Sequence, residues 1–228
     1  MDSIRPRDSQ HATADGTTTI AGYLAERDHV AVAGQRIALW RVADLERHVD
    51  RAALLGAENP AEPPYWAHLW SGAVILAGAI PEGTRSVVEL GCGLGLPGLV
   101  AARRGARVTF VDRVPTALAF VRASVAANGL APANLVVADC TSPVLATRFD
   151  LVLAAELLYE RSAFDALAHA IARLLTPAGR ALVADARRID TTAFYDALHT
   201  AGLTWKASEH PVREDGLPIT VRLIEIAA

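Results

Sequence analysis

The 228-residue chain has little cysteine, no long apolar run and no surplus of positive charge, and each shortage removes a class of function. Its two cysteines, Cys92 and Cys140, are too few for a disulfide framework, and no Cys/His spacing matches a metal site. Free thiols and no metal are expected. The longest nearly uninterrupted apolar stretch, Ala73 to Ile80, falls far short of the roughly 20 residues that span a bilayer. No charged-then-apolar signal segment precedes it, so a cytoplasmic protein with no membrane attachment is expected. Lys and Arg together number 22 against 25 Asp and Glu, giving a net charge of −3, and the seven histidines are scattered. That balance argues against strong nucleic-acid binding. What the chain does have is 52% hydrophobic residues cut into short segments, enough for one substantial core.

The most informative segment is Val87-Val88-Glu89-Leu90-Gly91-Cys92-Gly93-Leu94-Gly95-Leu96-Pro97-Gly98, an apolar strand that breaks into glycines and then starts a helix. Glycine lets the chain turn through positive φ and lets a ligand lie against bare peptide. Pro97 suits a first helical position. Gly91, Gly93 and Gly95 give G-x-G-x-G, whereas the dinucleotide fingerprint G-x-G-x-x-G needs a glycine where Leu96 stands, so a nicotinamide or flavin dinucleotide is disfavoured. About twenty residues on, the run Arg107 to Val111 closes with Asp112, where Rossmann-type folds place an acid on ribose hydroxyls. Leu135-Val136-Val137-Ala138 ends in Asp139-Cys140, a further strand tip whose acid could accept from the exocyclic amine of adenine. Together these parts describe a pocket for an adenosine without phosphates. Strand-end acids are also commonly solvated turn residues, the competing reading for Asp112 and Asp139.

Along the chain, residues 1–16 are polar and aperiodic, which predicts a mobile tail. An N-terminal extension is expected over 17–63: a hairpin of Val30-Ala31-Val32 and Arg36 to Trp40 outside the main sheet, a helix from Asp44 to Leu55, and a proline linker from Asn59 to Pro64. From 64 to 228 strands and helices alternate, the pattern of an α/β domain with a parallel sheet covered on both faces. Helices are expected over Val114 to Asn128, over Ser162 to Leu175 with Ser162 as cap, and from Asp190-Thr191-Thr192 to Gly202. Strands are expected at Phe149 to Ala155, Arg180 to Asp185, Leu203 to Ser208 and Ile219 to Ile226, the last two joined by a loop containing Glu214-Asp215-Gly216.

The E-L-G-C-G-L-G run and Asp112 resemble the glycine motif and ribose acid of the class I methyltransferases, which use S-adenosylmethionine (SAM). The resemblance covers roughly positions 60 to 228. It implies a Rossmann-like seven-stranded sheet, parallel except for its last strand, and SAM as cofactor, with Trp70, Glu89, Gly91, Gly93, Gly95, Asp112, Asp139, Cys140 and Ala155 around it. Glu156-Leu157-Leu158-Tyr159, at the carboxyl end of the strand from Phe149, resembles the (D/E)-x-x-(Y/F) motif of the seven-strand protein-lysine methyltransferases. Pro64-Tyr65-Trp66-Ala67-His68-Leu69-Trp70 resembles the segment ahead of the glycine motif in their bacterial and mitochondrial branch. Two positions depart from that pattern: Ser71 stands where proline often follows the second tryptophan, and Glu156 replaces an aspartate.

Amine methylation fits these residue types. A lysine amine of pKa about 10.4 is neutral in roughly one molecule per thousand near pH 7, so presenting its lone pair costs about 4 kcal/mol. Glu156 can hold and orient the amine, Tyr159 can wall it, and Trp66 or Trp70 can close the pocket, making Glu156 and Tyr159 the catalytic candidates and Trp66 their partner in binding substrate. The blander alternatives are a helix-capping glutamate, a core tyrosine and tryptophans that plug the sheet edge. His68 reads as a structural residue, and Asp185-Ala186-Arg187 as a surface ion pair near the acceptor. The leading function is therefore methyl transfer to a lysine side chain of a protein; a small-molecule amine or pyridine is the alternative acceptor, followed by SAM binding without catalysis and, last, an oxidoreductase.

Overall fold

In the computed structural model, residues 16–48, 64–142, 145–186, 188–214 and 216–228 are described. Seven strands form the main sheet: β4 (Ser86–Leu90), β5 (Arg107–Asp112), β6 (Asn134–Val137), β7 (Phe149–Ala155), β8 (Leu175–Asp185), β9 (Thr204–Glu214) and β10 (Leu217–Ala227). Their spatial order is β6-β5-β4-β7-β8-β10-β9. The pairings from β6 through β8 are parallel, and β10 runs antiparallel to both β8 and β9. This is the expected sheet, with only its last strand reversed.

Period-two alternation decides which side chains face which layer. Val87, Leu151, Leu153, Leu182, Ala184 and Leu223 face one cluster, built with α1 (Ser71–Gly78), α2 (Leu96–Arg103) and α3 (Pro115–Ala127). Val88, Val152, Ala154, Val183, Ile224 and Ile226 face the other, built with α4 (Phe164–Leu174) and α5 (Thr192–Thr200). Helices therefore cover both faces, and no helix among the described residues is long and apolar enough to cross a membrane.

A separate antiparallel sheet precedes this one: β1 (Thr17–Ile20), β2 (Tyr23–Val32) and β3 (Gln35–Val42). The expected hairpin lies within β2 and β3, while β1 has no counterpart in the sequence reading because its Thr-rich run lacks apolar alternation. The sheet is pinned to α3: Trp40 N donates to Ser124 Oγ at 3.0 Å, Ala38 N donates to Asn128 Oδ1 at 2.9 Å, and Asn128 Nδ2 donates back to Ala38 O at 2.7 Å. Its buried Ile20, Ala25, Ile37 and Leu39 join the cluster of α2 and α3. Of the helix expected from Asp44 to Leu55, a single 3-10 turn at Leu45–His48 is described; the remainder, the proline linker up to 63 and the tail up to 15 lie outside the described residues.

Three boundaries differ from the sequence reading. β8 begins at Leu175 rather than Arg180, because a register shift against β7 absorbs the segment holding Pro177 and Gly179, residues that look like breakers. Ser162 does not cap a helix: its hydroxyl donates to Glu160, a 3-10 turn covers Arg161–Ala163, and α4 starts at Phe164. β9 and β10 run on until Glu214 pairs with Leu217, beyond the Arg222–Asp185 pair where β8 ends. Their far halves form a two-stranded ribbon past the carboxyl edge of the sheet, on the side where open α/β sheets place ligands.

Candidate active site

Two strand tips define the site. At the tip of β4 the chain leaves the sheet through Gly91, Gly93 and Gly95, with φ of +55°, +50° and +74°. A Cβ on Gly93 would lie 2.9 Å from the carbonyl oxygen of Trp66, and one on Gly91 would lie 2.5 Å from Leu157 Cδ2, so side chains are excluded by packing as well as by backbone conformation. Gly95 N donates to Cys92 O at 2.7 Å, closing the turn that leads into α2.

Asp112, at the tip of β5, is 6% exposed and holds this loop. Its Oδ2 accepts from Gly93 N at 2.8 Å and its Oδ1 from Val114 N at 2.9 Å. Burial raises its pKa above the ordinary carboxylate value, against the pull of the Val114 and Gly93 amides. A carboxylate offers about four acceptor positions, so each oxygen retains capacity for a ribose hydroxyl. Glu89 is 2% exposed and lies on the α2 face of the sheet, its Oε2 accepting from Gly98 N at 2.8 Å in the first turn of α2. Burial pushes its carboxyl up to about 8, with the nearby Asp112 contributing and the Gly98 amide opposing. At the tip of β6, Asp139 is exposed and its Oδ1 accepts from both the amide and the hydroxyl of Thr141, at 2.8 and 2.6 Å, which lowers its pKa. Cys140 beside it is partly buried, and desolvation pushes its thiol up to about 11.

The second tip is that of β7. Parallel pairing sets Leu90 against Ala154, so Ala155 and Glu156 emerge next to the glycine loop, one strand spacing of about 4.8 Å away. Glu156 has φ +54°, a conformation costing a non-glycine residue about 1–2 kcal/mol. Its side chain is 8% exposed. Oε2 accepts from Ala186 N at 3.2 Å and stands 3.6 Å from Arg188 Nε, while the buried Oε1 accepts no hydrogen bond among the described residues. Burial pushes this carboxyl up to about 7; the Ala186 amide and Arg188 oppose that rise, and Asp185 and Glu214 add to it. Room for Oε1 exists because residue 72, in the first turn of α1, is glycine: a Cβ there would lie 2.4 Å from it. Tyr159, three residues on, is 52% exposed.

Around Glu156 the structure gathers residues that sequence reasoning missed. Arg188 Nη2 contacts Glu214 Oε1 at 2.6 Å, and its guanidinium carbon lies 4.6 Å from the centre of the Trp70 ring. Glu214, at the end of β9, also accepts from Ser71 N at 3.0 Å. Burial works against its charge, but the hydrogen bonds from Arg188 and Ser71 win and hold its pKa below the ordinary value. No local pattern could join Glu214 to Ser71 across 143 positions. The available signal was Gly72, a glycine opening a helix, which marks close approach by another group.

The two expected tryptophans part company. Trp70 faces this cluster, its indole N–H donating to Tyr65 O at 3.0 Å and its ring 4.3 Å from that of His68. The Trp66 ring packs between Tyr23 of β2 and Phe120 of α3, with centroids at 5.8 and 5.3 Å, and the group it offers the glycine loop is its carbonyl. Asp185 is 3% exposed, not the surface acid its position suggested, and pairs in register with Arg222 of β10; Arg187 lies outside the described residues.

A family described as "Methyltransferase domain" matches residues 87–179, the stretch from β4 into β8. The ribosomal RNA small subunit methyltransferase G of Rhodospirillum centenum is 34% identical over 194 residues, covering 80% of this chain and 85% of that protein. The chain belongs to the SAM-dependent methyltransferases. The protein N-lysine methyltransferase METTL21A of mouse is 38% identical over 124 residues, 47% of this chain and 55% of that one. This methyltransferase thus spans about half the length of that lysine-modifying relative. The fold of the Thermus thermophilus 16S rRNA N2 G1207 methyltransferase, solved with SAM and guanosine, superimposes with a TM-score of 0.62 at 17% identity, over 89% of this chain and 50% of that one.

Proposed function

We propose that this methyltransferase acts on amines, and that its acceptor is a lysine side chain of a protein. The observation that carries the reading is Glu156: a buried carboxylate with one unspent oxygen, one strand away from the glycine loop. The similarity to a protein N-lysine methyltransferase over 124 residues supports it.

When bound, SAM supplies a methyl group activated by its sulfonium. The bare peptide of Gly91, Gly93 and Gly95 would receive the cofactor's amino-acid end, Asp112 its ribose hydroxyls, and Asp139 and Cys140 its adenine side. Ala155 and Trp70 would border the space between cofactor and acceptor, and Glu89 supports the loop from beneath through Gly98. Glu156 would hold the acceptor nitrogen in line with the methyl carbon at about 3–3.5 Å, where confinement supplies most of the acceleration. As the nitrogen gains positive charge, the adjacent carboxylate favours the transition state over the ground state. Burial also improves Glu156 as a proton acceptor. Moving a proton from an ammonium of pKa about 10.4 to a carboxyl at about 7 costs about 5 kcal/mol, against about 8 for an ordinary glutamate. Tyr159 would wall the acceptor, and the exposed position of its ring suits a substrate that arrives from solvent on a protein surface.

A second reading has its own support. The relative covered over 85% of its length is a ribosomal RNA methyltransferase, which favours a nucleobase acceptor, while the net charge of −3 and a pair of acids beside the methyl site weigh against RNA. Incubation with methyl-labelled SAM and a bacterial lysate, separated into protein, RNA and small-molecule fractions, tests the choice. Label in protein, recovered as methyl-lysine and lost with Glu156→Ala, is expected. Label confined to RNA or to small molecules rejects the protein acceptor.

A further inference from the structure

Arg188 occupies surroundings that would suit a ligand. Its guanidinium has the Trp70 ring at 4.6 Å, the Glu214 carboxylate at 2.6 Å and the Glu156 carboxylate at 3.6 Å. An aromatic face with carboxylates around it is the chemistry that recognises an organic cation. Each wall comes from a different part of the fold: Trp70 from the segment before α1, Glu156 from the tip of β7, Glu214 from the ribbon of β9 and β10. Each wall is also braced independently, through Tyr65 O for Trp70, Ala186 N for Glu156 and Ser71 N for Glu214.

Arg188 fills this space incompletely. Its side chain is 41% exposed, whereas those of Glu156 and Glu214 are 8% and 11% exposed. Its contact with Glu156 is too long for a hydrogen bond, and Glu156 Oε1, more than nine-tenths buried with its side chain, accepts nothing among the described residues. Glu156 and Glu214 are too buried to lose their cation without replacement, so Arg188 leaves only as another cation takes its place. It also has somewhere to go, because a cleft of about 390 Å³, lined by Arg188, Asp190 and Thr192 among others, adjoins it.

We propose that Trp70, Glu156 and Glu214 form a cage for the cationic amine of the acceptor, and that Arg188 is an internal placeholder displaced when the acceptor enters. The proposal rests on the amine reading of the site and deepens it: the substrate arrives as an ammonium, is held by Trp70 and Glu214, and meets Glu156 through the oxygen Arg188 leaves unused. Arg188 is thus a specificity-determining residue, since a neutral acceptor has nothing with which to replace its charge.

The probe is n-butylammonium, the charged end of a lysine side chain, titrated into the full chain by ligand-observed NMR without turnover. Arg188→Gln should bind it about tenfold more tightly than the unaltered chain. Arg161→Gln, which removes the same charge from the exposed Asp190 pair, should leave the affinity unchanged. Adding Glu214→Gln to Arg188→Gln should abolish the gain, and n-butanol should bind none of these proteins. In the unaltered chain, n-butylammonium should move the Arg188 Nε–H resonance, a readout that needs no variant to fold. No gain in Arg188→Gln, an equal gain in Arg161→Gln, or an unmoved Arg188 resonance at saturating probe overturns the placeholder. Because these readings concern cation binding alone, the placeholder can fail while methyl-lysine is still formed, and can hold while the labelled product turns out to be a small amine.

Discussion

The proposed cofactor side and the proposed acceptor side of this methyltransferase are built on opposite principles. Around the glycine loop, buried acids have hydrogen-bond partners in place: Asp112 takes two amides, one per oxygen, and Glu89 takes Gly98 N. Around the tip of β7, Glu156 adopts positive φ, leaves Oε1 unspent and stands at 3.6 Å from its cation. One side is assembled before any ligand arrives, and the other keeps one buried carboxylate oxygen without a hydrogen-bond partner among the described residues. Strain and unspent hydrogen-bonding capacity concentrate where a fold is asked to act on something foreign. The lesson is that changes on the first side should cost stability and cofactor affinity together, whereas changes on the second should cost transfer alone.

The largest expected effect that sharpens this contrast is at Asp112. Asp112→Ala removes the proposed ribose acceptor and the brace on Gly93, so affinity for S-adenosylhomocysteine should fall about a hundredfold, about 3 kcal/mol, by calorimetry. Unchanged affinity would break the comparison at its root.

Glu89 comes next, through pH. The folded chain keeps the Glu89 proton up to about pH 8, whereas the unfolded chain releases it near 4.5. Folding is therefore favoured below that window, and stability falls as pH rises through it, by about 2 kcal/mol between pH 6 and 8 from this group. Glu89→Gln keeps an oxygen for Gly98 N and should flatten that fall in denaturant titrations; an equally steep fall would show that the buried acid is not its source.

Gly98 should give a smaller loss. A Cβ there would lie 2.3 Å from Phe110 Cε1 and 2.6 Å from Glu89 Oε2, so Gly98→Ala should destabilise the chain by about 1–3 kcal/mol, seen as a lowered melting temperature. On the acceptor side, Arg188→Ala removes a half-exposed side chain and should lower the melting temperature by less.

How much of this was legible in the sequence follows the same division. The glycine loop, Asp112, α3 and the alternation of β4 to β8 are local signals: spacing of glycines, a β-branched run closed by an acid, apolar residues at helical intervals. Glu156 was legible as the residue after a buried strand. Its neighbours were not, since Arg188, Glu214 and Gly72 come together only through the ribbon of β9 and β10, whose extension past β8 no period could announce. Trp66 and Trp70 show the limit well. They share a helical spacing, yet a 3-10 turn at Tyr65–Ala67 and an extended His68 send one ring onto Phe120 and the other onto Arg188.

The measurement that bears most directly on the account is the pH profile of methyl transfer by Glu156→Gln, taken alongside its affinity for S-adenosylhomocysteine. Since burial pushes the Glu156 carboxyl up to about 7 and its proposed role needs the deprotonated form, kcat/KM of the parent should rise as pH increases through 7. The variant should lose this inflection and transfer about a hundredfold more slowly while binding S-adenosylhomocysteine as before. Transfer at the parent rate with the inflection intact would contradict the assignment of Glu156 to the acceptor.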